Sequence, residues 1–238
     1  MLYKIYAAAA AIPLLSFIHV VGAIPYSEYI HAPSRRDLAP VSVHRVNGTV
    51  SNAAGLTTTG HGTAVFSGVS AVTYDYSKNI AGLVSFVVDG ASGGDQFIGL
   101  SYTESSLWIS SNSSDSTQDW GLDEVLWFKI TGPGSYAVDD EHDRGGFRYL
   151  NIYHNSTGNV SLSDVTTYYT AMPHYADDAL ANYTGYFHSN DEKLNRVWYA
   201  GRLALLYISE MRERQMLTPC QVRTPINYVL SPPATVTL

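Results

Sequence analysis

The sequence predicts a mainly β protein, an antiparallel, jelly-roll-like β-sandwich followed by a helix. Two observations carry that expectation. Seven short runs rich in Val, Ile, Tyr, Phe and Thr recur through residues 41–170, separated by turn-forming clusters and without helical periodicity between them. Beyond Pro173 the texture changes, and apolar residues return at three- and four-residue steps.

The strand runs are 41–46, 70–76, 83–88, 97–102, 125–130, 147–153 and 165–169. Asn47-Gly48, Asp89-Gly90, Ser92-Gly93-Gly94-Asp95, Gly132-Pro133-Gly134 and Gly145-Gly146 punctuate them, because Gly and Asn reach the backbone conformations that tight turns demand. Val72, Tyr74 and Tyr76 alternate with Thr73 and Asp75, as a half-buried strand requires, whereas 83–88 is apolar on both faces and reads as central. Ser189-Asn190-Asp191-Glu192 has the form of a capping box, with Ser189 accepting from the third amide and Glu192 reaching back. Leu194, Val197, Trp198, Gly201, Leu205, Ile208 and Met211 then give that helix an apolar face that wants covering. Pro219, Pro225, Pro232 and Pro233 forbid its continuation.

Five units of organisation follow: a signal peptide at 1–23, a linker at 24–40, a β-sandwich at 41–175, a connection and first helix at 176–217, and an irregular tail at 218–238. The first carries Lys4, an apolar stretch and the small pair Gly22-Ala23, and Pro13, Ser16 and His19 break any membrane span. The expected route is secretion to the extracellular space, with no stable membrane anchor once the leader is cut. Five Asn-x-Ser/Thr sequons, at Asn47, Asn112, Asn155, Asn159 and Asn182, mark candidate glycosylation sites that then face water. Arg35-Arg36 is read as part of a solvated linker rather than as a processing site.

Composition excludes several functions. Of 238 residues, 45% are hydrophobic, too many for a disordered chain. A net charge of −7 without a basic run argues against nucleic acid as a partner. Cys220, the single cysteine, allows neither an internal disulfide nor a zinc cage. The eight His residues include no HExxH, and Gly68-Val69-Ser70-Ala71-Val72 lacks the last Gly of a serine-hydrolase elbow, so no cofactor, metal or catalytic serine is expected. Asp139-Asp140-Glu141-His142-Asp143 lacks the spacing of a calcium loop and reads as a hydrated turn. Asp75 and Glu104 would form a carboxylate pair only if their strands were adjacent.

Arg144-Gly-Gly-Phe-Arg-Tyr-Leu150, followed by Asn182-Tyr-Thr-Gly-Tyr-Phe-His-Ser-Asn-Asp-Glu-Lys-Leu-Asn-Arg-Val-Trp-Tyr-Ala-Gly201, resembles the junction of α-L-rhamnosidase-type enzymes of glycoside hydrolase family 78. Residues 74–78, 82–85 and 99–107 are similar to the sandwich of its fungal branch. The resemblance, over roughly residues 40–201, implies a secreted glycosidase that removes terminal α-L-rhamnose with inversion. It makes the helix the first of an (α/α)6 six-hairpin barrel, here incomplete.

Inversion needs an acid and a base held roughly 6.5–9.5 Å apart. The resemblance places both in the barrel, beyond the matching residues, so no catalytic residue is assigned. Residues 202–238 carry +2 against −9 for residues 1–201, and Glu210 and Glu213 stand on one face of one helix, unable to flank a sugar ring. The expectation is an inactive N-terminal portion, with a shifted reading frame or altered splicing near codon 201 as its origin. Removing residues 190–238 should then improve yield by deleting an uncovered apolar face. The alternative is an accessory carbohydrate-binding sandwich, in which Tyr and Trp rings stack on sugar faces. Trp108 and Trp120 are its candidate ligand-contacting residues, beside Tyr102, Trp127, Tyr149 and Tyr153. On either reading the partner is a carbohydrate, a rhamnose-containing glycan or glycoside.

Overall fold

A computed structural model describes residues 26–60, 62–115, 124–182 and 185–217, the last twelve by backbone alone. Its organising element is a single 29-residue strand. The runs 70–76 and 83–88 do not form separate strands joined by a turn; both lie in β3, Ala64–Ser92. Ser77-Lys78-Asn79, polar enough to read as a turn, is instead a bulge, with Ser77 in the left-handed region at φ 64°. The register jumps there from Asp75 opposite Tyr149 to Ile80 opposite Phe147.

The other strands, all antiparallel, are β1 (Asp37–Leu38), β2 (Ser42–Ser51), β4 (Gln96–Thr103), β5 (Leu126–Ile130), β6 (Gly134–Ala137), β7 (Arg144–His154) and β8 (Asn159–Tyr169). Their order is β1-β8-β3-β7-β4-β5, with β2 and β6 also on β3. β8 pairs with both ends of β3, residues 64–67 and 82–92, so the sheet curls over itself and its two layers enclose one core. The expected fold class, an antiparallel β-sandwich followed by a first helix, is the fold observed. Phe66, Tyr74, Phe86, Leu100, Ile152 and Leu162 point inward at alternate positions and are fully buried. At ~25 cal/mol per Å² of apolar surface removed from water, such positions are the main source of stability.

The helix α1, Glu192–Leu217, follows a junction tied to the chain's beginning. Arg36 is 6% exposed rather than solvated. Its Nε donates to Asp177, and its two amino groups donate to the carbonyls of Tyr169, Ala171, Met172 and Tyr175 at 2.8–3.0 Å. Five donors meet five acceptors, which offsets the cost of burying the guanidinium. The arginine pair therefore sits in a folded segment, because the turn after β8 exposes four carbonyls that strand pairing leaves unserved. Tyr26 stacks on His188 at 4.7 Å, and Tyr29 stacks on Tyr199 at 5.5 Å.

The helix cap differs from the expected box. Asp191, not Ser189, accepts from the amides of Lys193 and Leu194, at 2.9 and 3.2 Å. A carboxylate next to the first turn outcompetes a hydroxyl two residues earlier, since it accepts more strongly and answers the helix dipole. Ser189 is held instead by the buried Asn195, whose side-chain oxygen accepts from the Ser189 amide and whose nitrogen donates to the Ser189 carbonyl. Glu192 bonds Arg196 and Tyr29. One face of α1 packs on the core through Tyr199, Leu203 and Trp198. The helix is thus partly covered by the sandwich, whereas Leu194, Val197 and Leu205 remain 48%, 61% and 65% exposed. No described helix is long and apolar enough to cross a membrane. Residues 1–25, with the expected signal peptide, and 218–238, with Cys220, lie outside the described residues.

Candidate carbohydrate site

Register fixes which residues meet at one end of the sandwich. Ser42 lies opposite Asp75, Asp75 opposite Tyr149, and Tyr149 opposite Thr103. The approach to β2, the β3 bulge and the start of the β4–β5 connection therefore share that end. Val41 donates its amide to the Asp75 carbonyl, which draws the N-terminal segment alongside the bulge.

The β4–β5 connection begins with a short turn at Ser106–Trp108. Ser105 caps it by accepting from the Leu107 amide, and the Thr103 hydroxyl donates to the Ser105 carbonyl. On this braced turn Trp108 is 67% exposed and Leu107 is 82% exposed. Trp108 thus stands where a ring could stack on a sugar. Trp120 lies outside the described residues. The other aromatic candidates divide. Tyr102 and Tyr149 are buried, while Trp127 and Tyr153 meet edge to face at 5.6 Å. Trp127 lies over Gly99, where an added Cβ would stand 2.8 Å from its ring.

Asp75 and Glu104 do not pair. β7 separates their strands, and each carboxylate takes a nitrogen partner. Arg148 grips Asp75 with two bonds of 2.8 Å, and Asn79 donates to Glu104 at 2.8 Å. The Arg148 fork, helped by the Ser77 amide, holds the Asp75 carboxyl below its ordinary range. Asp89 is lowered by bonds from Ser163 and Thr63, and Glu192 by bonds from Tyr29 and Arg196. These three shifts run against a general acid, which must keep its proton near neutrality. The 139–143 turn ties itself together through His142 and Asp139, and no metal-holding group of three or more His, Cys, Asp or Glu occurs among the described residues. Glu210 and Glu213 lie in the part of α1 described by backbone alone.

A cavity of about 180 Å³ opens beside the β3 bulge, lined in part by His31, Arg35, Lys78 and Asn79. Sequence reasoning missed it, because half of its lining comes from residues 31–41, far in sequence from the bulge. Of the sequons, Asn47, Asn112, Asn159 and Asn182 are exposed and Asn155 is half-buried.

No protein-family model and no curated protein matches the sequence. Among solved structures, the chain is similar to a rhamnosidase from Klebsiella oxytoca with rhamnose bound. That likeness has a TM-score of 0.50 at 14% identity, over 76% of this chain and 36% of that one. It is similar also to a GH78 family rhamnosidase of Bacillus sp. GL1, with a TM-score of 0.37 at 19% identity, over 55% of this chain and 12% of that one. A third likeness is to CpGH89CBM32-6 produced by Clostridium perfringens, with a TM-score of 0.31 at 15% identity, over 56% and 94%. The likeness to the Klebsiella enzyme is one of fold. This chain spans about a third of that enzyme's length.

Proposed function

We propose that the chain is the sandwich and first-helix portion of a secreted α-L-rhamnosidase-like glycoside hydrolase of the fungal branch. Its own contribution is carbohydrate recognition rather than bond cleavage. The observation that carries this reading is Trp108, an exposed ring on a hydrogen-bonded turn at the end of the sandwich that also holds the cavity. An apolar ring held in water costs free energy that a stacked sugar face recovers, while nearby amides and charges select the hydroxyls. The fold likeness to a rhamnosidase supports placing the chain in such an enzyme.

The test is a glycan array probed with the purified chain and with Trp108→Ala. Binding to rhamnose-containing glycans that is lost in the variant supports the reading. A silent array, or binding that the variant retains, overturns it.

A further inference from the structure

The cavity beside the β3 bulge gathers His31, Arg35 and Lys78, and no Asp or Glu lines it. This is unusual in a chain with 21 acidic and 14 basic residues. Among the described residues neither cation, Arg35 or Lys78, forms an ion pair, nor does His31. Neighbouring carboxylates are turned to other partners: Asp75 to Arg148, Asp177 to Arg36 and Glu104 to Asn79. Among the described residues Asp37, exposed on β1, joins no ion pair either. Partial burial and the positive charge of Lys78 together lower the proton affinity of His31 and favour its neutral form.

Apart from Thr58 and Asn79 the rest of the wall is largely apolar, with Tyr76 and Ile80 buried behind it and Pro33, Leu38 and Val41 at its side. Its volume is below that of a drug-sized pocket, roughly 300–1,000 Å³, and suits a single ring. An apolar wall facing a cluster of cations fits a ligand with an apolar face and one negative group.

We propose that this cavity is a subsite for an acidic sugar residue, a uronate, whose carboxylate is held by Lys78 and Arg35 and whose ring lies against the apolar wall. Arg35 offers the planar fork that matches a carboxylate, and Lys78 adds a point charge. The assignment rests on the carbohydrate reading above and deepens it. Both cations are exposed, so their removal leaves the fold intact.

The experiment is calorimetric titration of the full chain with glucuronate and galacturonate, with glucose and galactose as neutral parents and acetate as a bare carboxylate. Uronates are expected to bind at least tenfold more tightly than either their parents or acetate. Lys78→Ala and Arg35→Ala should each weaken them about tenfold without moving the thermal midpoint, and added salt should weaken them further. Uronates binding no better than their parents would overturn the subsite, as would binding indifferent to both substitutions or matched by acetate. Glycan binding sensitive to Trp108→Ala would still stand in those cases. Loss of that binding as well would overturn the carbohydrate reading itself.

Discussion

Arg36 shows how much one side chain can hold. All five of its N–H groups are used, and four of the acceptors are main-chain carbonyls of the turn after β8. Truncation would leave those carbonyls unserved in a part-buried site, so Arg36→Ala should lower unfolding stability by about 3–5 kcal/mol, read as a shift in urea midpoint. A change under 1 kcal/mol would mean that water replaces the guanidinium. His154 acts through pH. It is buried between the Gly68 carbonyl and the Gln96 side chain, and burial pushes its proton affinity down. The unfolded chain, with an ordinary value of about 6.5, therefore takes up the proton first. The stability that His154 contributes is complete above that pH and lost as pH falls through its lower folded value. Between pH 7.5 and 5 the melting temperature should fall, and His154→Gln should flatten the slope; an unchanged slope would assign the effect elsewhere.

At the scale of elements, α1 has two unlike faces. Tyr199 and Leu203 are buried against the sandwich, so deleting residues 190–238 should lower the yield of folded chain, opposite to what periodicity alone suggests. A rise in yield would show that this packing contributes little. Replacing Leu194, Val197 and Leu205 together by Gln touches only the exposed face and should raise solubility while leaving the melting temperature within a degree or two. Asp191→Ala should cost about 1 kcal/mol, the ordinary loss for a helix cap, measurable by chemical denaturation. The strands were legible in the sequence where apolar residues alternate. They were not legible at β6, where Gly134-Ser135-Tyr136-Ala137 borders a Gly-Pro-Gly turn, nor at the start of β8, where Asn159 and Ser161 mask Val160 and Leu162. Short polar strands are held by their neighbours rather than by their own propensity.

For the whole molecule, the two ends of the sandwich differ. Gly68, Gly93 and Gly158 meet at one end, where the Gly68 amide bonds the Gly158 carbonyl. The sequons at Asn155 and Asn159 flank that turn. The cavity and Trp108 occupy the other end. On the proposed secretory route, glycans at Asn155 and Asn159 stand away from the sugar-binding end, and removing these two by Asn155→Gln and Asn159→Gln should leave binding unchanged. Release of rhamnose from an aryl rhamnoside is expected to be undetectable for these 238 residues, and measurable turnover would overturn the recognition-only reading.

The sequence by itself determined the fold class, the helix and the family resemblance at 144–150 and 182–201, because each rests on local periodicity or a contiguous motif. It also exposed Trp108 as a candidate, though no local signal distinguished that ring from the buried Tyr102 and Tyr149. Tertiary structure alone decided that the runs 70–76 and 83–88 are one bulged strand and that Arg36 is a clamp. It also put His31, Arg35 and Lys78 around one cavity. The physical reason is the same in each case. Pairing of β3 with β7 and β8, and docking of residues 26–41 beside it, join groups separated by tens of residues, and no window along the chain contains both partners.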